Sequence, residues 1–314
     1  MRLLVTGGGG FVAGHFLNLA AKKWAGEILT TRFNSAGTTP AGIASAPLDI
    51  RDREAVLEIV HAFRPTHILH LAAISAPGQA QQNPADAWRA NVLGALHIAE
   101  AAVICGAQQL IFASSAEVYG RAFLAYPIAD ERVEPEPASV YGRIKYAAEQ
   151  AVADVLAGSS CAGVAVRAAN HSGPGQDERF VTPAFAAQVA RIEVGEIPPV
   201  VATGDLTARR DFLDVRDVAR GYLAILTAPS HPGMTVLNLG SGVARPVAEI
   251  IDVLKSSSRV PFDVVLDPDR LRPQIIESAA LDATRIAEVY GWRPEIAFET
   301  MVRDVLIDYR TRVG

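Results

Sequence analysis

The first fourteen residues, MRLLVTGGGGFVAG, constrain the chain more than any other stretch. Leu3, Leu4 and Val5 form an apolar run that passes straight into glycines, which reads as a buried parallel strand. Gly7 to Gly10 make a tight turn, and apolar residues then return at helical spacing at Phe11, Val12, Phe16, Leu17 and Leu19. Strand, glycine turn and helix in this order let backbone approach a pyrophosphate. The helix start offers it unpaired amides and a partial positive charge. Gly7 and Gly10 carry the informative spacing, and Ala13 stands where a third glycine is common.

Downstream the alternation of strand and helix continues. Ile28 to Thr31 reads as the second strand, where a dinucleotide fold meets the adenosine ribose. No acid occurs between Ile28 and Leu48, and Arg32 follows the strand directly. An arginine there suits a ribose 2′-phosphate, which favours NADP(H) and leaves NAD open. Pro47 to Ile50 reads as a short strand containing Asp49, which either accepts from an adenine amino group or caps a helix over Arg51 to Ala62. His67 to Ala73 is the next buried strand. His70 belongs to its packing, and Leu71, Ala72 and Ala73 leave room for a cofactor against backbone. Phe11, Val12 and Ile50 complete the expected cofactor wall. A long helix over Pro84 to Gly106 carries Asn91 at its middle, where asparagine has poor intrinsic propensity. A role tying backbone together beneath the cofactor accounts for it. Leu110 to Ser115, a helix from Ala138 to Leu156 with Ser139 as N-cap, and Val164 to Arg167 complete the run.

This pattern predicts an α/β chain, a Rossmann doubly wound parallel sheet with a smaller C-terminal α/β substrate domain. The rhythm breaks after Asn170, while Val215 to Leu226 and Val236 to Leu239 read as returning to the first domain. The expected division is 1–166 plus 211–242 for the NAD(P)-binding part and 167–210 plus 243–314 for the substrate-binding part. A net charge of -5 over 314 residues gives no electrostatic reason to expect a nucleic-acid or anionic-membrane partner. No apolar run is long enough to span a bilayer, no leader precedes the first strand, and no metal-ligand cluster is present. Cys105 and Cys161 sit in apolar sequence and read as buried thiols, so the expected compartment is the reducing cytoplasm.

Chemistry concentrates in Ser115, Tyr141 and Lys145. Tyr141 and Lys145 are four apart and share a helix face. A phenol titrates near ~10, so a neighbouring lysine together with a cofactor cation is expected to favour the phenolate. A serine hydroxyl holds the substrate oxygen that gains or loses the proton. Together they make an oxidoreductase centre, with hydride on the cofactor and the proton passing through Tyr141.

The stretches TGGGGFVAG, HLAA, SSAEVYG, YGRIK, NHSGPGQ, RRDFLDVRDVARGY, LRP and GWRP run through nearly the whole chain. In these the chain resembles the extended short-chain dehydrogenases/reductases acting on nucleotide sugars. The resemblance is greatest to the GDP-4-keto-6-deoxymannose reductases, with the GDP-mannose 4,6-dehydratases as relatives. It implies that Asn170, Arg210 and Arg272 bind the diphosphate of a nucleotide sugar and that Phe180 and Val181 line the nucleotide pocket. It also implies a homodimer in which the helices Pro84 to Gly106 and Ala138 to Leu156 form a four-helix bundle. Ile144 replaces the serine usual before the active-site lysine. Glu117 matches the acid that takes the C5 proton in the dehydratases. The residue before it is Ala116, which donates no proton, and this favours simple 4-keto reduction over elimination. A 4-epimerase is a second enzymatic reading. A non-catalytic NADP-binding regulator is a third, which the intact Ser115, Tyr141 and Lys145 set argues against.

Overall fold

The computed structural model describes residues 1–33, 39, 43–271 and 275–313. Among them seven strands form one parallel sheet: β1 Arg2–Thr6, β2 Glu27–Arg32, β3 Ala44–Pro47, β4 His67–His70, β5 Gln109–Ala113, β6 Ala162–Ala168 and β7 Gly233–Leu239. Their spatial order is β7-β6-β5-β4-β1-β2-β3, so the chain winds outward in both directions from β1. The reversal between β1 and β4 is the place where open α/β sheets bind ligands.

Side-chain alternation along β1 divides the core. Leu3 and Val5 enter one cluster with Phe16 and Leu17 of the helix Phe11–Lys23 and with Val218 and Tyr222 of the helix Val215–Thr227. Leu4 points to the other face and packs with Ile68, Phe112, Ile98 and Ile144. Both faces are therefore covered, as a fully buried parallel sheet requires. A third apolar cluster joins the helices Val181–Glu193, Ala248–Ser257 and Phe298–Val313 through Val189, Leu254 and Val305. It lies against a smaller sheet in which Arg209–Asp214 pairs with Ala244–Pro246, Ser278–Leu281 and Asn170–Ser172. This strand crosses the expected boundary at residue 211, because Asp211 is paired with Ala244 in the same ladder as Arg209 and Arg210.

Several elements differ from the sequence reading. The third strand is Ala44–Pro47 and stops before Asp49. Leu48 still donates to the Arg32 carbonyl, but Asp49 then accepts from the Arg51 amide and turns the chain. Asp52, not Asp49, is the N-cap, accepting from the Ala55 amide at 3.1 Å, so the helix begins at Arg53 and runs to Phe63. A short helix over Pro77–Gln82 was not anticipated. The long helix expected over 84–106 is interrupted by a π-helical segment, Arg89–Leu93, and ends at Ile104. Cys161 is buried, whereas Cys105 is only half-buried.

The π segment contains Asn91, and its side chain explains the local widening. Its amide oxygen accepts from the Ile74 N–H at 2.8 Å and its amide nitrogen donates to the Ile74 carbonyl at 3.0 Å. Asn91 thus stands in for a neighbouring strand beneath the loop that follows β4. Asn91→Ala should unpair both backbone groups of Ile74 and cost about 1–3 kcal/mol. A urea-unfolding midpoint indistinguishable from that of the unaltered protein would contradict this.

Candidate active site

At the carboxyl edge of the sheet the loops enclose a cleft of about 950 Å³. The glycine turn forms its floor. Gly7 has φ +77, and a Cβ there would lie 2.7 Å from the Ala72 amide nitrogen, so only glycine allows β1 to turn this close to the end of β4. The helix Phe11–Lys23 then starts at Gly10 with no side-chain cap. Its first-turn amides are left for a ligand, and Gly10, Phe11 and Val12 line the cleft. The donor set and the open backbone cradle fit a dinucleotide pyrophosphate.

Towards one end the wall is Arg32, Asp49 and Ile50, and Leu71, Ala72 and Ala73 follow along β4. Arg32 donates through Nε to Ser45 Oγ at 2.9 Å. Asp49 lines the cleft and is held by the side chain of Arg51, with Nε to Oδ1 at 3.0 Å and Nη2 to Oδ2 at 2.8 Å. Arg51 also reaches Asp86 Oδ1 at 2.6 Å and lies over the Phe33 ring at 5.2 Å. This bond holds the Asp49 carboxyl below its ordinary value. Arg51, Phe33 and Asp86 all line the cleft and were missed from sequence. The signal available was the arginine two residues after Asp49, which reads equally well as a solvated helix residue. Asn91 does not line the cleft and acts from beneath it through Ile74.

Ser115, Glu117, Tyr141 and Lys145 meet near the middle of the cleft. The helix Val140–Leu156, capped by Ser139 accepting from the Gly142 amide at 2.9 Å, presents Tyr141 and Lys145 on one buried face. Gly142 lets this helix approach the strand end: a Cβ there would lie 2.5 Å from the Glu117 carbonyl. Ile144, where a serine was usual, is fully buried in the core between helix and sheet. Ser115 accepts from the Glu117 amide at 3.2 Å and lines the cleft together with Tyr141. The Glu117 carboxylate accepts from Ser139 Oγ at 3.1 Å. Lys145 Nζ donates to the Ala113 carbonyl at 2.6 Å and sits 4.9 Å from the Phe112 ring centre.

The electrostatics depart from expectation. Burial, and then the Glu117 charge, push the Tyr141 phenol above its ordinary value, with neighbouring Ser115 acting the other way. Burial draws Lys145 down to about 8, opposed by Glu149. Lys145 is not among the groups that shift Tyr141 here. The ammonium is spent on Ala113, and desolvation dominates both groups.

Asn170, Phe180 and Val181 line the same cleft beyond Tyr141. Arg210 lies in an adjoining hollow that Glu117 and Asn170 share with the cleft. Burial disfavours its charge and Glu117 favours it, and its Nη1 donates to the Arg209 carbonyl at 2.8 Å. Arg272 lies outside the described residues.

A family model described as the NAD dependent epimerase/dehydratase family matches residues 3–240. A GDP-6-deoxy-D-mannose reductase of Pseudomonas aeruginosa is 31% identical over 317 residues, covering 99% of this chain and 98% of its own. A UDP-glucose 4-epimerase of Yersinia pestis is 30% identical, covering 97% and 96%. Among solved structures, the UDP-glucose 4-epimerase of Thermotoga maritima with UDP-glucose superposes with a TM-score of 0.90 at 25% identity, over the whole of both chains. The protein RMD of Pseudomonas aeruginosa complexed with NADPH superposes with a TM-score of 0.83 at 29% identity, over 99% of each.

The lowered lysine makes a stability prediction. Lys145 falls from 10.5 unfolded to about 8 folded, so between these values the unfolded chain keeps a proton that the native state has released. Stability from this group therefore rises with pH across that window and is at its least favourable below it. Lys145→Met removes the penalty. The variant should be more stable than the unaltered protein below pH ~8, and the gap should narrow by on the order of 3 kcal/mol towards pH ~10.5. A gap independent of pH in denaturant titrations would refute this.

Proposed function

The chain belongs to the NAD dependent epimerase/dehydratase family, and we propose that within it this nucleotide-sugar enzyme reduces the C4 keto group of a nucleoside-diphosphate 4-keto-6-deoxyhexose with NADPH. The observation that carries the reading is Ala116, which lines the hollow beside Glu117 and has no proton to give. Burial and Glu117 keep the phenol protonated, which suits a group that gives a proton to a carbonyl oxygen. An epimerase or a dehydratase begins with oxidation at C4 and needs Tyr141 first as a base. Elimination further requires a proton for the leaving hydroxyl, and Ala116 has none. The similarity to a GDP-6-deoxy-D-mannose reductase supports GDP-4-keto-6-deoxy-D-mannose as the substrate.

In this reading Ser115 orients the C4 oxygen and Tyr141 passes its proton to it. Asn170, Arg210 and Arg272 hold the diphosphate, and Phe180 and Val181 flank the nucleotide. The cofactor, when bound, supplies the hydride. Gly7, Gly10, Phe11 and Val12 would receive its pyrophosphate, Arg32 its 2′-phosphate and Asp49 its adenine. The third core with its small sheet is the substrate-binding part. Two copies would pair through the helices at 84–104 and 140–156, where Trp88, Leu93 and Ile104 are exposed apolar residues. A dimer mass in light scattering at micromolar concentration supports that pairing, and a monomer mass refutes it.

The function is tested with purified protein, NADPH or NADH, and a panel of nucleoside-diphosphate 4-keto-6-deoxyhexoses, with products identified by NMR. Tyr141→Phe should lower kcat by ~10²–10⁴-fold with little change in KM. Arg210→Ala should mainly raise KM. Glu117→Gln should cost only a few-fold, because reduction abstracts no carbon-bound proton. Loss of all turnover in Glu117→Gln, with water released from GDP-mannose by the unaltered enzyme without added NADPH, replaces reduction by dehydration. A cofactor that survives dialysis, with C4 inversion of a UDP-hexose, replaces it by epimerisation, the activity named for the Yersinia relative. Arg32→Ala should weaken NADPH and spare NADH, and equal loss with both removes Arg32 from the 2′-phosphate.

A further inference from the structure

Beneath Tyr141 and Lys145 lies a buried ion pair that the chemistry above does not use. Glu149 is one turn after Lys145 on the same helix, so Tyr141, Lys145 and Glu149 form a single row. Arg167 on β6 meets it two-pronged, Nη2 to Oε2 at 2.7 Å and Nε to Oε1 at 3.1 Å, with both side chains at 5% exposure or less. Ser114, at the end of β5, donates its hydroxyl to Glu149 Oε1. Ser114 directly follows Ala113, whose carbonyl takes the Lys145 ammonium. Two adjacent residues of the strand end are thus fastened to two successive turns of the helix.

A buried pair of this kind gains little net stability, because desolvation of both ions offsets their attraction. Arg167 is not even fully satisfied: its Nη1 is buried with no hydrogen-bond partner, and its guanidinium lies 4.8 Å from the Tyr119 ring centre. The geometry therefore calls for a reason other than stability. The charged and titratable groups around Lys145 are few. Tyr141 and Glu149 share its helix, His70 faces it from β4, Glu117 lines the same part of the cleft, and Arg167 stands behind Glu149 on β6. Burial and Lys145 itself hold His70 neutral, at about 3. Among the described residues, Glu149 is the anion whose charge acts on the lysine.

We propose that Glu149, neutralised by Arg167 and tied to the strand end by Ser114, is a positioning residue that keeps Lys145 charged and in place beneath Tyr141. The functional half of this inference rests on the reading of Tyr141 and Lys145 given above, and the electrostatic half does not.

The chain contains only four lysines, Lys22, Lys23, Lys145 and Lys255, so carbon-13 lysine NMR of the full-length protein follows each one through a pH titration. Lys145→Arg identifies the resonance. Glu149→Gln should move the Lys145 midpoint down by about one unit, because the anion is lost and the Arg167 charge is bared. Arg167→Gln should move it up, because the carboxylate is no longer neutralised. A merely structural pair would not move the midpoint in opposite directions. If either single variant does not fold, Glu149→Gln combined with Arg167→Met removes the pair whole, a change that cores tolerate, and the midpoint should still fall. A Lys145 midpoint unmoved in the folded variants overturns the proposal. In turnover with NADPH and the keto-sugar nucleotide, the alkaline fall of kcat should track each NMR midpoint while KM stays put. Midpoints that shift without the pH–rate profile uphold the electrostatic role of Glu149 and remove Lys145 from the chemistry, which is a failure of the proposed mechanism alone.

Discussion

The site depends first on the distance between two backbones. Gly7 turns the chain so close to Ala72 that a Cβ would lie 2.7 Å from its amide nitrogen. That closeness is possible only where the sheet reverses its winding, between β1 and β4. On either side of the reversal the loops diverge, and a cleft of about 950 Å³ opens over the glycine turn. The uncapped start of the helix Phe11–Lys23 is left pointing into it, with amides that the fold itself does not satisfy.

Desolvation then shapes the chemistry. Tyr141 and Lys145 are at most 8% exposed, and both shifts run towards the neutral form: the phenol up and the ammonium down. The two groups are not poised by mutual attraction. Lys145 keeps a charge through Ala113 and Glu149, and Tyr141 keeps its proton through burial and Glu117. The cost is a buried Glu149–Arg167 pair, whose ionic partners lie on the helix and on β6 and so lock the helix to the sheet.

The remainder of the site is assembled from segments far apart in the chain. Glu117 joins the Ser139 hydroxyl, the Ser115 hydroxyl and the electrostatic surroundings of Tyr141 and Arg210, the last of which enters on a strand of the smaller sheet. Asp211, next to it, accepts from the Ser241 and Gly242 amides and from the Leu281 amide. This fixes the strand bearing Arg210 against two other segments. Arg210 therefore reaches the cleft edge through tertiary pairing.

Local regularities were legible in the sequence. Continuous apolar runs and period-3.6 patterns placed most strands and helices of the parallel sheet, glycines marked the turn, and the four-residue step put Tyr141 and Lys145 on one face. Each of these follows from the geometry of a single element. The π segment at Asn91, the capture of Asp49 by Arg51, the shift of the third strand to Ala44–Pro47 and the cap at Asp52 were not legible. In those places two or more local solutions were nearly equal, and a contact from elsewhere in the chain, such as Ile74 on Asn91 or Asp86 on Arg51, selected one. The sequence by itself determined the class of fold and which residues could carry the chemistry. Only the tertiary structure decided their charge states and their partners, because burial and neighbouring charge belong to no single segment.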